Sequence, residues 1–123
     1  MHELSIAQTI VEAVEAEASR RSARSVRYVR LKVGDASGVE TDSLAFCFEM
    51  LVGDYPLLAG AKLLIDRMPH RARCRHCATD FTVKNFVAQC PACQEWSNEI
   101  ISGTELQVIE MEIDVPEPGP SRP

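Results

Sequence analysis

Four cysteines in two close pairs constrain this chain more than any other feature. Cys74-Arg75-His76-Cys77 is followed, after twelve residues, by Cys90-Pro91-Ala92-Cys93. A Cys-x-x-Cys turn lets both sulfurs face one point, and the insert lets two such turns meet. Four thiolates satisfy the tetrahedral preference of Zn²⁺ and leave no open coordination position. The insert, beginning Ala78-Thr79-Asp80-Phe81, has the length of a small hairpin or loop. The competing reading is a pair of redox dithiols or disulfides. A redox Cys-x-x-Cys normally opens a helix, and Pro91 with the near-symmetric doubling favours a metal. The expectation is a structural zinc site at Cys74, Cys77, Cys90 and Cys93.

Size points the same way. The chain has 123 residues, enough for one main core and a small module. A module of roughly 30 residues cannot fold on apolar burial alone and needs a metal or disulfides. Five cysteines, four of them in ligand spacing, do not resemble an oxidised secreted framework. No signal peptide is expected from Met1-His2-Glu3, and no apolar run approaches the roughly 20 residues that span a membrane. A cytoplasmic, soluble protein is expected, with no membrane partner.

The net charge of −5 argues against a general phosphate-backbone binder. Locally, Arg67, Arg71, Arg73, Arg75 and Lys84 stand against Asp80 and Glu95, a formal +3. Four thiolates with one Zn²⁺ bring that near +1. Alternation places Arg71, Arg73 and Arg75 on one strand face, where they could track phosphates. A zinc-ribbon nucleic-acid or transcription-associated module is therefore the alternative, though the charge balance favours no nucleic-acid partner.

Periodicity organises the rest. From Ser5 to about Arg21 the apolar residues Ile6, Ile10 and Ala13, with Leu4, Ala7, Val11, Val14 and Ala18, recur at helical spacing. Ser5-Ile6-Ala7-Gln8 has the form of a capping box, which predicts an N-cap at Ser5 with Met1–Leu4 ahead of the helix. Val26–Val33 reads as a strand with Val29, Leu31 and Val33 on one face. Gly34–Gly38 is a turn without a phosphate-loop pattern. A second helix follows from Thr41 or Asp42 to Leu51, with Leu44, Cys47, Phe48 and Leu51 at core spacing and Cys47 a small buried residue. Ala61–Met68 and Thr104–Val115 complete three strands, and Pro69 and Ser102-Gly103 are the expected hinges. The fold class is α+β, two helices packed on a three-stranded sheet with an inserted four-cysteine zinc-ribbon module. The domains are residues 1–69 plus 103–115, discontinuous, and 70–102, with a disordered tail over 116–123. Trp96 is expected to pack the ribbon and His76 to face solvent.

A closed thiolate site is scaffolding, so function is sought elsewhere. The initiator Met is expected to be retained, because His2 is too large for ordinary trimming. The α-amine of Met1, the His2 backbone nitrogen and its imidazole can close consecutive chelate rings about one metal, with Glu3 adding an amide nitrogen or carboxylate. Such nitrogen-rich sites suit Ni(II) or Cu(II). A solvated polar start with no ligand role remains the other reading of these residues.

Met1-His2-Glu3-Leu4-Ser5, Val33-Gly34, Gly38-Val39-Glu40, Phe46-Cys47-Phe48-Glu49 and the doubled Cys-x-x-Cys together resemble the HypA (also HybF) family over roughly residues 1–115. These are nickel metallochaperones of [NiFe]-hydrogenase maturation. The resemblance implies Ni²⁺ carried through His2 with Met1 and Glu3 contributing, and a structural four-cysteine Zn²⁺. Its implied partners are a HypB-type GTPase and the [NiFe]-hydrogenase large subunit, and a homodimer is compatible with it. Where some members carry an Asp proposed as an added nickel ligand, this chain has Glu40, one methylene longer. No catalytic residues are expected: His2-Glu3 lacks the second histidine of His-Glu-x-x-His, and no nucleophile motif is present.

Overall fold

The computed structural model describes residues 2–97 and 99–116. The tail expected to be disordered lies, from residue 117 on, outside the described residues.

Helix α1 spans Glu3–Arg20 and buries Ala7, Ile10, Val11, Val14 and Ala18, a stripe at three- and four-residue spacing. Its start differs from the capping box at Ser5. His2 occupies the N-cap position without a side-chain cap, and its carbonyl accepts the Ile6 N–H at 3.1 Å. Glu3 and Leu4 therefore form the first turn. The cause is tertiary: the Glu3 carboxylate accepts the Glu40 N–H at 3.0 Å, which docks this turn. A local cap worth about 1 kcal/mol is readily overridden by such a contact. At the other end Ser22, at φ 58, occupies the left-handed C′ position usually taken by Gly. Ala23 N–H reaches Ala18 O and Ser22 N–H reaches Ser19 O, both at 3.0 Å, forming a Schellman motif.

Strand β1 (Ser25–Gly34) buries Val29, Leu31 and Val33 as its alternation requires. Helix α2 (Thr41–Val52) packs on α1 through a stripe of Leu44, Phe48 and Val52. Cys47 and Leu51 lie on the flanks of that stripe, half-buried instead of central. A 3₁₀ turn at Pro56–Leu58 adds the fully buried Leu58. Then come β2 (Lys62–Met68), β3 (Arg71–Arg73), β4 (Asp80–Thr82), β5 (Glu99–Ser102) and β6 (Leu106–Asp114). One sheet has the order β2-β1-β6. The inserted segment builds its own sheet, β4-β3-β5. Both pairings there are antiparallel, with Ala72 opposite Phe81 and Ile100.

The chain packs as two compact units. One takes the described residues of Met1–Leu31, Glu40–Leu64 and Val108–Pro123; the other takes Lys32–Val39 and Ile65–Gln107. The cysteine-bearing unit thus includes the turn after β1 as well as the inserted segment. Hydrogen bonds explain this: Asp35 N–H donates to Met68 O at 2.8 Å, Ala36 N–H to Gly103 O at 2.7 Å, and Gly34 N–H to Glu105 O at 2.7 Å. The stretches read as hinges are tied down by the same network, with Ser102 Oγ donating to Pro69 O at 2.6 Å. Gly34 and Gly103 are required here. A Cβ on Gly34 would lie 2.0 Å from the Gly103 carbonyl oxygen, and Gly103 adopts φ 110 against the His70 backbone.

Candidate metal centre

The two Cys-x-x-Cys turns are built alike. In the first, Cys74 N–H donates to Thr79 O and Ala78 N–H to Cys74 O; in the second, Cys90 N–H donates to Glu95 O and Gln94 N–H to Cys90 O, all at 2.8 Å. The residue after each second cysteine turns left-handed, Ala78 at φ 64 and Gln94 at φ 69. This reverses the chain and aims each pair of sulfurs inward. The fold brings all four sulfurs within 4.8 Å of one another. Cys74 and Cys93 Sγ are 3.5 Å apart, Cys77 and Cys90 Sγ 3.6 Å. These spacings are too long for disulfides. They match the edge of about 3.8 Å of a sulfur tetrahedron around zinc at a Zn–S distance of about 2.3 Å. The residues present therefore fit a closed four-thiolate zinc.

The site is also the core of its sheet. Cys74 and Cys90 are buried with Ala72, Phe81 and Val83, and Ala88 and Cys93 pack against them. Cys77 is the exposed corner. Hydrogen bonds from Thr79, first its hydroxyl at 3.1 Å from the sulfur and then its backbone, lower the Cys77 thiol to about 6. At Cys93 a backbone hydrogen bond from Glu95 acts downward, but burial and the three neighbouring sulfurs outweigh it and push the thiol up to about 12. Without metal, Cys77 is thus the corner that favours the thiolate and Cys93 the one that favours the thiol. Sequence reasoning missed Thr79. Its signal is a hydroxyl two residues beyond a ligand cysteine, where a knuckle turns its side chain back on the sulfur.

The remaining histidines and Trp96 take no part in this cluster. His76 is exposed, as expected. His70 lies edge-on to Phe86, ring centroids 5.6 Å apart. Trp96 does not pack the ribbon. It is 69% exposed, forms an isolated bridge with Gln89, and is not among the residues packed around Phe81. The arginines expected on one strand face are engaged at home. Arg71 Nη1 donates to Thr82 Oγ1 at 3.1 Å, Arg73 pairs with Asp80 at 2.8 Å, and Arg75, outside β3, pairs with Glu99 at 3.5 Å.

Of the N-terminal candidates, His2 and Glu3 stand at the start of α1. His2 is exposed at the N-cap. The amides of the first helical turn have no intrahelical acceptor, so the N–H groups of His2 and Glu3 are not consumed by the helix ladder. The Glu3 carboxyl is held below its ordinary value, chiefly by the Glu40 N–H. Glu40 in turn is the N-cap of α2, its Oε1 accepting the Asp42 N–H at 3.2 Å. Glu40 is therefore a neighbour of Glu3 through its backbone, while its side chain serves the second helix. Met1 lies outside the described residues. Among the described residues, His2, Glu3 and Glu40 do not close into a ligand cluster like that of the cysteines.

Comparison with known proteins agrees with this arrangement. The model of the HypA family, described as hydrogenase/urease nickel incorporation, metallochaperone, matches residues 1–113. The hydrogenase maturation factor HypA of Geobacter metallireducens is 43% identical over 114 residues, covering 93% of this chain and all of that protein. Its counterpart in Geobacter sulfurreducens is 40% identical over the same shares. The solution structure of the Ni metallochaperone HypA from Helicobacter pylori shares the fold at a TM-score of 0.67 and 20% identity, over 94% of this chain and all of that one. A second solution structure of a HypA protein gives 0.66 and 22%, over 92% of this chain and 96% of that one. With a family match that runs from the first residue into β6, and two relatives at 40% identity or more over nearly the whole chain, this protein belongs to the HypA family of nickel-incorporation metallochaperones.

Proposed function

We propose that this chain carries Ni(II) at its N-terminus and delivers it during [NiFe]-hydrogenase maturation, with a structural zinc held by Cys74, Cys77, Cys90 and Cys93. Membership of a family described by nickel incorporation carries the reading. The chemistry of the chain supports it. Four converging thiolates suit zinc and leave no place for a cargo metal to enter and leave. A carrier needs a second, accessible site, and His2 is exposed at the start of α1. Imidazole and amide nitrogens are the donors that suit Ni(II). The positive end of the helix dipole eases loss of an amide proton there. In this reading His2 supplies imidazole and backbone nitrogen, Met1 its α-amine, and Glu3 an amide nitrogen or its carboxylate. The Glu3 carboxylate accepts the Glu40 N–H through Oε2, so its other oxygen can bind a metal without breaking that bond. Glu40 is the weaker candidate, because its carboxylate caps α2.

The division of labour follows the chain. Nickel belongs to the unit that holds the N-terminus, and zinc to the unit that holds the four cysteines. The protein works in the cytoplasm, receives or passes nickel with a HypB-type GTPase and serves the hydrogenase large subunit. Among the described residues, no helix is long and apolar enough to cross a membrane. Metal analysis of untagged protein, before and after incubation with nickel and gel filtration, tests the reading. One zinc per chain in both samples, and nickel bound only after incubation, is expected. Nickel that displaces the zinc, or fails to bind, overturns it.

A further inference from the structure

Helix α2 shows a second face that neither metal site uses. With Leu44, Phe48 and Val52 turned inward, the opposite stripe presents Asp42, Phe46, Glu49 and Met50. Phe46 is 65% exposed and Met50 55%. Standing at i and i+4, they form one apolar ridge. Acidic residues predominate around the ridge, with the exposed Lys62 sharing a surface recess with Glu49. From Asp35 to Ala61 the sequence has five acidic residues and no Lys or Arg. Among the described residues no ion pair reaches Asp42, Glu49 or Asp54. By contrast, Arg20 and Arg21 pair with Glu17, and Arg24 and Arg27 with Asp114. The last turn of α2 has no basic residue and carries Glu49, where the helix dipole favours a cation. Local stability does not explain that choice.

We infer that this face of α2 docks a protein partner whose surface offers an apolar cleft rimmed by Lys or Arg. The cleft takes Phe46 and Met50, and its rim cations meet Glu49, Asp54 and the negative end of the helix. A second copy of the chain is a poor occupant. Two such faces related by a two-fold axis set more acid than base against itself, since Lys62 beside Glu49 offsets the acidic residues only in part, and the arginines named above are already paired. Anionic lipid and nucleic acid are repelled by the same charge. The partner is therefore a basic protein surface, and a carrier that must hand over its cargo needs one. The inference rests on the proposed function in that respect.

The test replaces the chromosomal copy by F46S/M50S and, separately, by E49K/D54K, both at exposed positions, and reads the nickel content of the hydrogenase in those cells. The purified variants are checked for fold, zinc, nickel uptake and sedimentation. Both variants should keep fold, metals and association state, while hydrogenase nickel falls at least about tenfold, the scale of losing a central anchor or its charge rim. Undiminished hydrogenase nickel in both variants overturns the inference. Loss of nickel uptake by the purified variants assigns the face to the metal site instead and also overturns it. Dissociation of a wild-type homodimer by the variants makes the occupant a second copy and overturns the foreign partner. If cells lacking the chain altogether make fully nickel-loaded hydrogenase, the proposed function fails, and this inference falls with it.

Discussion

Removing one thiolate should separate the stability of the cysteine-bearing segment from that of the helices. In Cys90→Ala, zinc keeps three of four ligands. Structural zinc sites contribute about 10–16 kcal/mol, so one Zn–S bond in four is worth roughly 2.5–4 kcal/mol, about 100- to 1000-fold in affinity. Little else in the segment compensates. Its strands are three, three and four residues long, and its large buried apolar side chains are Phe81 and Val83, at about 1.5–3 kcal/mol each. Cys90 itself is fully buried in that core, so the substitution also loosens packing. The helices stand on different residues: Val11, Leu44, Phe48 and Leu58 are fully or nearly fully buried without any cysteine ligand among them. Competition with a chelator should therefore strip zinc from Cys90→Ala at concentrations 100-fold or more below those needed for the wild type. Hydrogen exchange should then accelerate across β3, β4 and β5 while α1 and α2 keep their protection. A variant that holds one zinc per chain against the same chelator, with native protection in β3–β5, would refute the four-cysteine assignment.

His2→Ala should abolish or greatly weaken nickel binding and leave zinc at one per chain, as isothermal titration and metal analysis can show; loss of zinc with nickel retained would reverse the two assignments. A Gly-Ser extension ahead of Met1 turns the α-amine into a neutral amide, so nickel binding should weaken and its absorption spectrum shift while zinc and fold stay unchanged; an unchanged spectrum and affinity would remove Met1 from the ligand set. Zinc affinity should fall as pH drops, because protons compete for the thiolates. With the Cys77 thiol at about 6 in the metal-free cluster, its thiolate is present above that value and lost below it, so zinc binding should release one more proton per metal below about pH 6 than above. Equal proton release on both sides of that pH, measured in weak buffer, would place the low thiol elsewhere. Gly34→Ala sets a Cβ 2.0 Å from one backbone oxygen and 2.5 Å from a backbone nitrogen, neither free to yield, and should cost about 3 kcal/mol or more in urea unfolding; a wild-type midpoint would show that the turn after β1 can open.

The features legible in the amino-acid order are those whose causes lie within a few residues. Each Cys-x-x-Cys knuckle closes through hydrogen bonds spanning four or five residues, so spacing alone announces it. The buried stripes of α1 and α2 and the alternation of Val29, Leu31 and Val33 follow from the periods of helix and strand. Even the Cys47 and Leu51 misplacement is a matter of one step around a helix. What only the tertiary structure decided involves partners far apart in the chain. The Glu3 carboxylate meets the N–H of residue 40, and that contact moves the start of α1 ahead of a locally plausible cap. Gly34 lies against Gly103, a close approach of two segments far apart in the chain that no local pattern announces. The Trp96 side chain stays in solvent, while the small core of the cysteine-bearing segment is made by Phe81, Val83 and the sulfurs. Local pattern specifies an element's type because its hydrogen bonds and its buried face repeat along the chain. Where an element begins, and which of its residues remain exposed, depends on contacts whose loop-closure cost is met only once the whole chain has folded.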